Sequence, residues 1–388
     1  MTLSAIAHSN AATAEAAGSE LAQSVTKDLH GAQADVLIVF ASSRYDYPEL
    51  LQALSEGCKP GLIVGCSSAG EFTSESPQIS SACVVALKNP EMKFSAGLAE
   101  GLQKDRKKAA ADLVSSFQGL NSSQYVYRSA MVLIDALAGF SDALVEEITL
   151  ATGGMYQFFG GGAGDDAQFQ RTHVFLGTKA YTDAAVALEI LSNKPVGIGV
   201  RHGWEPAGAA MRVTEAEGNR LISLNAIPAV EAFASHAAET GQIFNPEEPL
   251  PFFLANVIGI DSGGTYRLRV PLGVNEDGSV TCAADVPVGS TVHLMRATEI
   301  SSAKAAQTAT ESAIAQLNAH PPKVAIFFDC VATRLRTGKD FGLELQALEN
   351  SLTPAAFVGC NTYGQIARAE GQFGGFHNCT AVIGIIPD

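Results

Sequence analysis

Leu51–Gly70 reads LQALSEGCKPGLIVGCSSAG, and Leu345–Gly364 reads LQALENSLTPAAFVGCNTYG. The two stretches superpose without a gap. Leu51, Gln52, Ala53, Leu54, Pro60, Val64, Gly65, Cys66 and Gly70 each meet their own residue type at one constant offset, which sets Cys66 on Cys360. Each copy follows an apolar run, Val36–Phe40 (VLIVF) and Val324–Phe328 (VAIFF). A weaker third copy lies between them: Met131–Asp135 (MVLID), a helix-like Phe140–Thr149, then Phe158–Asp166 (FFGGGAGDD), with Ala163-Gly164-Asp165 expected to answer Ala69-Gly70-Glu71. Repetition of one supersecondary unit along the whole chain decides the architecture.

Uninterrupted apolar runs such as VLIVF suit strands covered on both faces. Asp46-Tyr47-Pro48-Glu49 offers a helix start with proline in the first turn, and Gly61–Gly65 returns to strand. The same order recurs in the middle copy, and Val186–Ile190 and Val196–Arg201 add strands. This alternation predicts an α/β (α+β) fold with mixed sheets. Ala16, Leu21, Val25 and Leu29 are spaced as on an amphipathic helix over residues 12–29. From about Gly203 the texture turns to hairpins, including Asn275-Glu276-Asp277-Gly278, before a long small-residue helix over Ser301–Ala319. The expected division is an N-terminal helical segment (1–33), a first domain (34–223) and a second (224–388).

The chain has 388 residues, 47% hydrophobic content and a formal charge of -15. That charge repels phosphate backbones and anionic bilayers, so nucleic acid is not an expected partner. The seven cysteines are odd in number and none stands in a CxxC spacing, which favours reduced, buried thiols in a cytoplasmic protein. The N-terminus lacks a basic start followed by a long apolar run, and no stretch is long and apolar enough to cross a membrane.

The repeated GCSSAGE and GCNTYGQ turns join a strand end to small residues and hydrogen-bonding side chains. Ser67, Ser68, Gly70, Glu71, Asn361, Thr362, Tyr363 and Gln365 are therefore candidate ligand contacts. Gly161, Gly162 and Asp165 are further candidate ligand contacts, suited to an amine or other donor group, in a run that lacks the lysine of a P-loop and so argues against a nucleotide. Arg334, with Arg336 and Lys339, forms the basic cluster beside the last copy, suited to a carboxylate or propionate. His202 and His377 are the two candidate axial ligands for a haem iron, since one neutral imidazole suffices. Asp261-Ser262-Gly263-Gly264 resembles a protease nucleophile turn but reads as a hairpin, and no positioned base is evident.

Taken in order, these motifs resemble the FIST family (F-box and intracellular signal transduction). GCSSAGEF, FFGGGAGDD and the Gly203-Trp204, Pro206, Gly208, Val213-Thr214, Gly218-Asn219 series are similar to its N-terminal half. VAIFFDC, LQALENSLTPAAFVGCNTYGQIA and FHNCT are similar to its C-terminal half. Gln365 stands where the family often has glutamate. The resemblance implies a non-catalytic sensory module that binds a small ligand and signals to a histidine kinase or a cyclic-nucleotide enzyme. Its nitric-oxide-sensing branch (NosP) further implies haem b; the alternative is a sensor of an amino acid or other metabolite without haem.

Overall fold

The computed structural model describes residues 1–74, 77–78, 80–369 and 375–388. Three strand–helix–strand–helix–strand–strand units follow one another around a pseudo-threefold axis. The first runs Leu3–Ser9, Ala14–Asp28, Val36–Ala41, Tyr47–Cys58, Leu62–Ser67 and Ala82–Lys88. The second runs Lys93–Glu100, Arg106–Val114, Tyr127–Ile134, Ser141–Ala151, Gln157–Gly162 and Ala184–Ser192. The third begins with Gly197–Arg201 and resumes with Glu299–Ala315, Pro322–Cys330, Phe341–Leu352, Ala356–Thr362 and Ala381–Pro387.

In every unit the two strands flanking the second helix are parallel and the first and last strands are antiparallel neighbours, so all three sheets share one strand order. Each central strand splits its side chains between two cores. Val36, Ile38 and Phe40 join Met131, Leu133, Val324, Ile326 and Phe328 in a common interior, while Leu37, Val39 and Ala41 pack under the first unit's helices. Covering both faces explains why these strands read as continuous apolar runs. Gly65, Gly160 and Gly359 hold equivalent places, and a Cβ at any of them would come within about 2 Å of the neighbouring strand's carbonyl oxygen (2.0, 1.9 and 2.0 Å).

The units interlock. After its central pair, each chain segment crosses to a neighbouring sheet: Glu71–Thr73 pairs with Val358–Cys360, Val174–Leu176 with Val64–Cys66, and Gln365–Arg368 with Phe158–Gly161. Three backbone hydrogen bonds close the circle at the axis, from Ala69 N to Asn361 O (2.9 Å), Gly164 N to Ser67 O (2.9 Å) and Tyr363 N to Gly162 O (2.9 Å).

Residues 205–296 form an insertion in the third unit. It is an antiparallel sheet accompanied by the helices Ala229–Thr240 and Leu250–Phe253, with Phe233, Phe252 and Phe253 in its core.

The α/β class with mixed sheets and the triple repeat hold, and Asp46 caps the helix Tyr47–Cys58 as expected, accepting from Glu49 N at 2.9 Å. Two expectations need correction. The N-terminal segment is a strand as well as a helix, because Leu3–Ser9 completes the first sheet against Ala82–Lys88. The middle copy aligns one residue away from the Ala-Gly-acid match: strand pairing and the axial hydrogen bonds make Ala69, Gly164 and Tyr363 equivalent, and hence Glu71, Asp166 and Gln365. Residue 223 lies in the strand Arg220–Leu224 of the insertion.

Candidate functional site

The carboxyl ends of the three parallel strand pairs meet at the axis, the place where open α/β sheets put their ligand sites. Here, however, the repeated polar side chains are spent on one another. Glu71 is buried and accepts from Ser68 Oγ on one oxygen and from Ser81 N (3.0 Å) and Ser81 Oγ (2.9 Å) on the other. Gln365 repeats that arrangement with an amide: its Nε2 donates to Thr362 Oγ1 at 2.9 Å and its Oε1 accepts from Thr380 N at 3.3 Å. Ser67 Oγ accepts from His173 N at 2.9 Å. Asp165 holds a tight loop, accepting from the backbone N–H groups of Phe169, Gln170 and Arg171 at 2.7–2.8 Å and from the Tyr363 hydroxyl.

Ser67, Ser68, Glu71, Thr362 and Gln365 are buried and bonded within or beside their turns, Asn361 is buried with its Nδ2 unpartnered, and none of the six lines the neighbouring cavity. Gly161 and Gly162 are close-approach positions; a Cβ on them would meet Thr362 Cγ2 at 2.9 Å and Tyr363 O at 2.7 Å. Arg334 does reach the first copy, donating to Ala69 O across the axis beside Gly70. Gly70 has a φ of +139°, and a Cβ there would lie 1.8 Å from Arg334 Nη1. Burial pushes the Glu71 carboxyl up to about 7, against the pull of its serine donors.

A cavity of about 540 Å³ lies next door, between the barrel formed by the three units and the insertion. Of the expected contact residues only Tyr363, with its neighbour Gly364, lines it. The other walls are Ala136–Asp142 apart from Ala138, Phe169, Cys330–Ala332, Leu335, Phe376 and Asn378 on the barrel side, and Glu217–Asn219, Leu250, Leu254, Val270, Leu272 and Ala283–Asp285 from the insertion. Leu137, Phe140, Phe169, Leu250, Leu272 and Leu335 remain 38–50% exposed and all line this one space. Phe169 stacks on Tyr363 with centroids 4.5 Å apart, so the Asp165 loop places an aromatic wall.

Two buried acceptors face the apolar walls. Asn378 Oδ1 has no hydrogen-bond partner, and neither has Asp142 Oδ2. The other Asp142 oxygen accepts from Arg269 Nη2 at 2.8 Å, with Arg267 3.9 Å away. Burial raises the Asp142 carboxyl while those two guanidinium groups oppose the shift. Arg269 is itself buried and also donates to Asp285 O and Phe376 O, so it stitches the insertion to the second and third units behind the cavity.

The residues lining this cavity do not fit haem held by either expected histidine. Neither ring lines this cavity. The His202 ring nitrogens meet Tyr266 O at 3.0 Å and Trp204 N at 3.3 Å, and His377 is fully buried in the strand Gly375–His377. Among the described lining residues there is no histidine, lysine or arginine, and the charged ones are Asp142, Glu217 and Asp285, which would repel propionates. Ser262 sits in an exposed turn closed by Ser262 N to Thr265 O, away from any of these groups.

Comparison with protein families matches residues 35–227 to the FIST N domain and 229–368 to the FIST C domain. The chain belongs to the FIST family. FIST domains are associated with the sensing of small ligands in signal transduction. No curated protein matched the chain. Among solved structures, cyanuric acid hydrolase from A. caulinodans aligns over 100% of this chain and 99% of its own at 9% identity and a TM-score of 0.34, a likeness too slight to bear on fold or activity. Among the described residues no helix is long and apolar enough to cross a membrane.

The cavity was not legible in the sequence, because its walls come from segments spread from Ala136 to Asn378. The local signal was Phe140 and Phe169, large apolar residues outside helix and strand; Leu272 and Leu335 stand in a strand and a helix, where such residues are ordinary.

Proposed function

We propose that this FIST protein is a non-catalytic sensor whose ligand lies between the barrel and the insertion. The observation that carries this reading is the convergence of six partly exposed large apolar side chains on one 540 Å³ cavity that also presents two unpartnered buried acceptors. Pockets of this size and character hold small molecules, with a few polar groups fixing orientation. The acceptors call for a ligand with an apolar body and a donor head, and the acidic lining favours a cationic amine. A metabolite without haem suits this lining; a haem-based nitric oxide sensor would need an axial ligand and propionate partners drawn from elsewhere.

The non-catalytic part of the reading is supported by the lining as well. Cys330 is its one nucleophile type besides hydroxyls, and no described lining residue is a histidine base to pair with it. Because opposite walls belong to the barrel and the insertion, a bound ligand favours one seating of the insertion, and a partner such as a histidine kinase or a cyclic-nucleotide enzyme would read that difference.

A thermal-shift screen of apolar amines tests the proposal. Stabilising compounds are expected with the native chain, with a weaker shift for Asp142→Asn and none for Leu272→Trp, which fills the cavity. A hit that stabilises Leu272→Trp equally would place the site elsewhere. Protein purified with haem supplied is expected to show no Soret band that depends on His202 or His377.

A further inference from the structure

The backbone singles out two walls of the cavity. Left-handed φ values suit glycine, asparagine and aspartate and are rare for bulky side chains. Among the described residues, Phe140 (φ +57°) and Phe169 (φ +55°) are the only large apolar residues held there, and both line the 540 Å³ space between the barrel and the insertion. They come from different loops. Phe140 follows Gly139 (φ +79°) and precedes the helix Ser141–Ala151. Phe169 belongs to the turn tied down by Asp165, whose carboxylate accepts from the N–H groups of Phe169, Gln170 and Arg171. Such a conformation persists only where its surroundings fix it, and positions of this kind gather at ligand clamps. Burial does not compensate for either, since Phe140 is 50% and Phe169 45% exposed.

Each ring has one face taken. The Arg106 guanidinium lies over Phe140, 4.0 Å from the ring centroid, and Tyr363 stacks on Phe169 at 4.5 Å with the planes 12° apart. The Tyr363 hydroxyl is fixed in turn by donating to Asp165. A ring covered on one side and still nearly half exposed presents its opposite face, and the space these two rings line is the cavity. Given that cavity as the sensor's ligand site, on which this rests, we propose that the ligand is an aryl amine: a flat aromatic ring laid on the open face of Phe169, with Phe140 as a second aromatic wall, joined to an ammonium group that donates to Asp142 Oδ2. Asp142 stands two residues after Phe140 and lines the same space, and its Oδ2 is a buried acceptor without a partner. Offset-stacked rings attract one another beyond what their shared burial supplies, so the site selects an aromatic body over an aliphatic one of the same size.

Titration calorimetry of the full chain with phenethylamine and with cyclohexylethylamine tests this. The two probes share an ammonium head and a linker, and the saturated ring carries the larger apolar surface, so burial alone ranks the cyclohexyl compound at least equal. Stacking reverses that order: the phenyl compound is expected to bind about three- to tenfold more tightly. Phe169→Leu keeps an apolar side chain at the wall and should erase the preference by weakening the phenyl compound alone, and Phe169→Tyr should retain it. Equal or tighter binding of the cyclohexyl compound by the native chain overturns the aryl assignment while leaving the cavity an amine site; binding of neither overturns both readings. A preference that survives in folded Phe169→Leu overturns the stacking role as well. The first comparison uses the native chain, so it decides the matter even where a variant fails to fold.

Discussion

Glu71 and Gln365 occupy the same place in two units, one as an acid and one as an amide, with matching hydroxyl and backbone partners. The amide serves without charge, which identifies the burden on the acid. The Glu71 carboxyl rises from 4.5 to about 7 on folding, so the folded chain binds the proton more tightly than the unfolded one. Its contribution is therefore full below pH 4.5, falls as pH rises to 7 and is flat above, a span of up to about 3 kcal/mol. Glu71→Gln is expected to flatten that part of the stability profile in urea titrations and to stabilise the chain above pH 7. Glu344, raised to about 8 by burial, leaves a residual slope. At the neighbouring glycine the sign is opposite: Gly70→Ala places a methyl group against the Arg334 guanidinium at a φ of +139° and is expected to cost roughly 1–3 kcal/mol in the same assay.

Among the elements, the central strand pairs were legible because each is a continuous apolar run followed by a small-residue turn. The opening strand was not, since LSAIAHS mixes small and polar residues and gains its place only by pairing with Ala82–Lys88. The insertion was recognised as a change of texture but not as an interruption of the third unit, because nothing local marks that Gly197–Arg201 belongs with Ala381–Pro387. Identical small turns in two copies suggested a ligand, yet close packing of three turns on one axis demands the same small residues and internal hydrogen bonds. Arg269 joins the insertion to the rest: removing it leaves Asp142 buried beside a single partially exposed guanidinium. Arg269→Ala is expected to destabilise by about 3–5 kcal/mol in equilibrium unfolding and to abolish ligand-induced thermal shifts.

For the whole molecule, no unit is complete alone. Each sheet contains strands from a neighbouring unit, and the two ends of the chain meet where Thr2 N donates to Asp388 Oδ1 at 2.9 Å. One cooperative transition is expected: the fluorescence of Trp204, buried between the insertion and the third unit, and the far-ultraviolet circular dichroism should change together in denaturant. An earlier fluorescence transition would show the insertion opening by itself. The circular exchange of strands also has a consequence during synthesis. The first sheet receives Val174–Leu176 soon after its own strands emerge, but the second waits for Gln365–Arg368, far later in the chain. Until then Gln157–Gly162 offers a bare apolar edge, so a ribosome stalled before Gln365 exposes a sticky template for self-association instead of a smaller working protein.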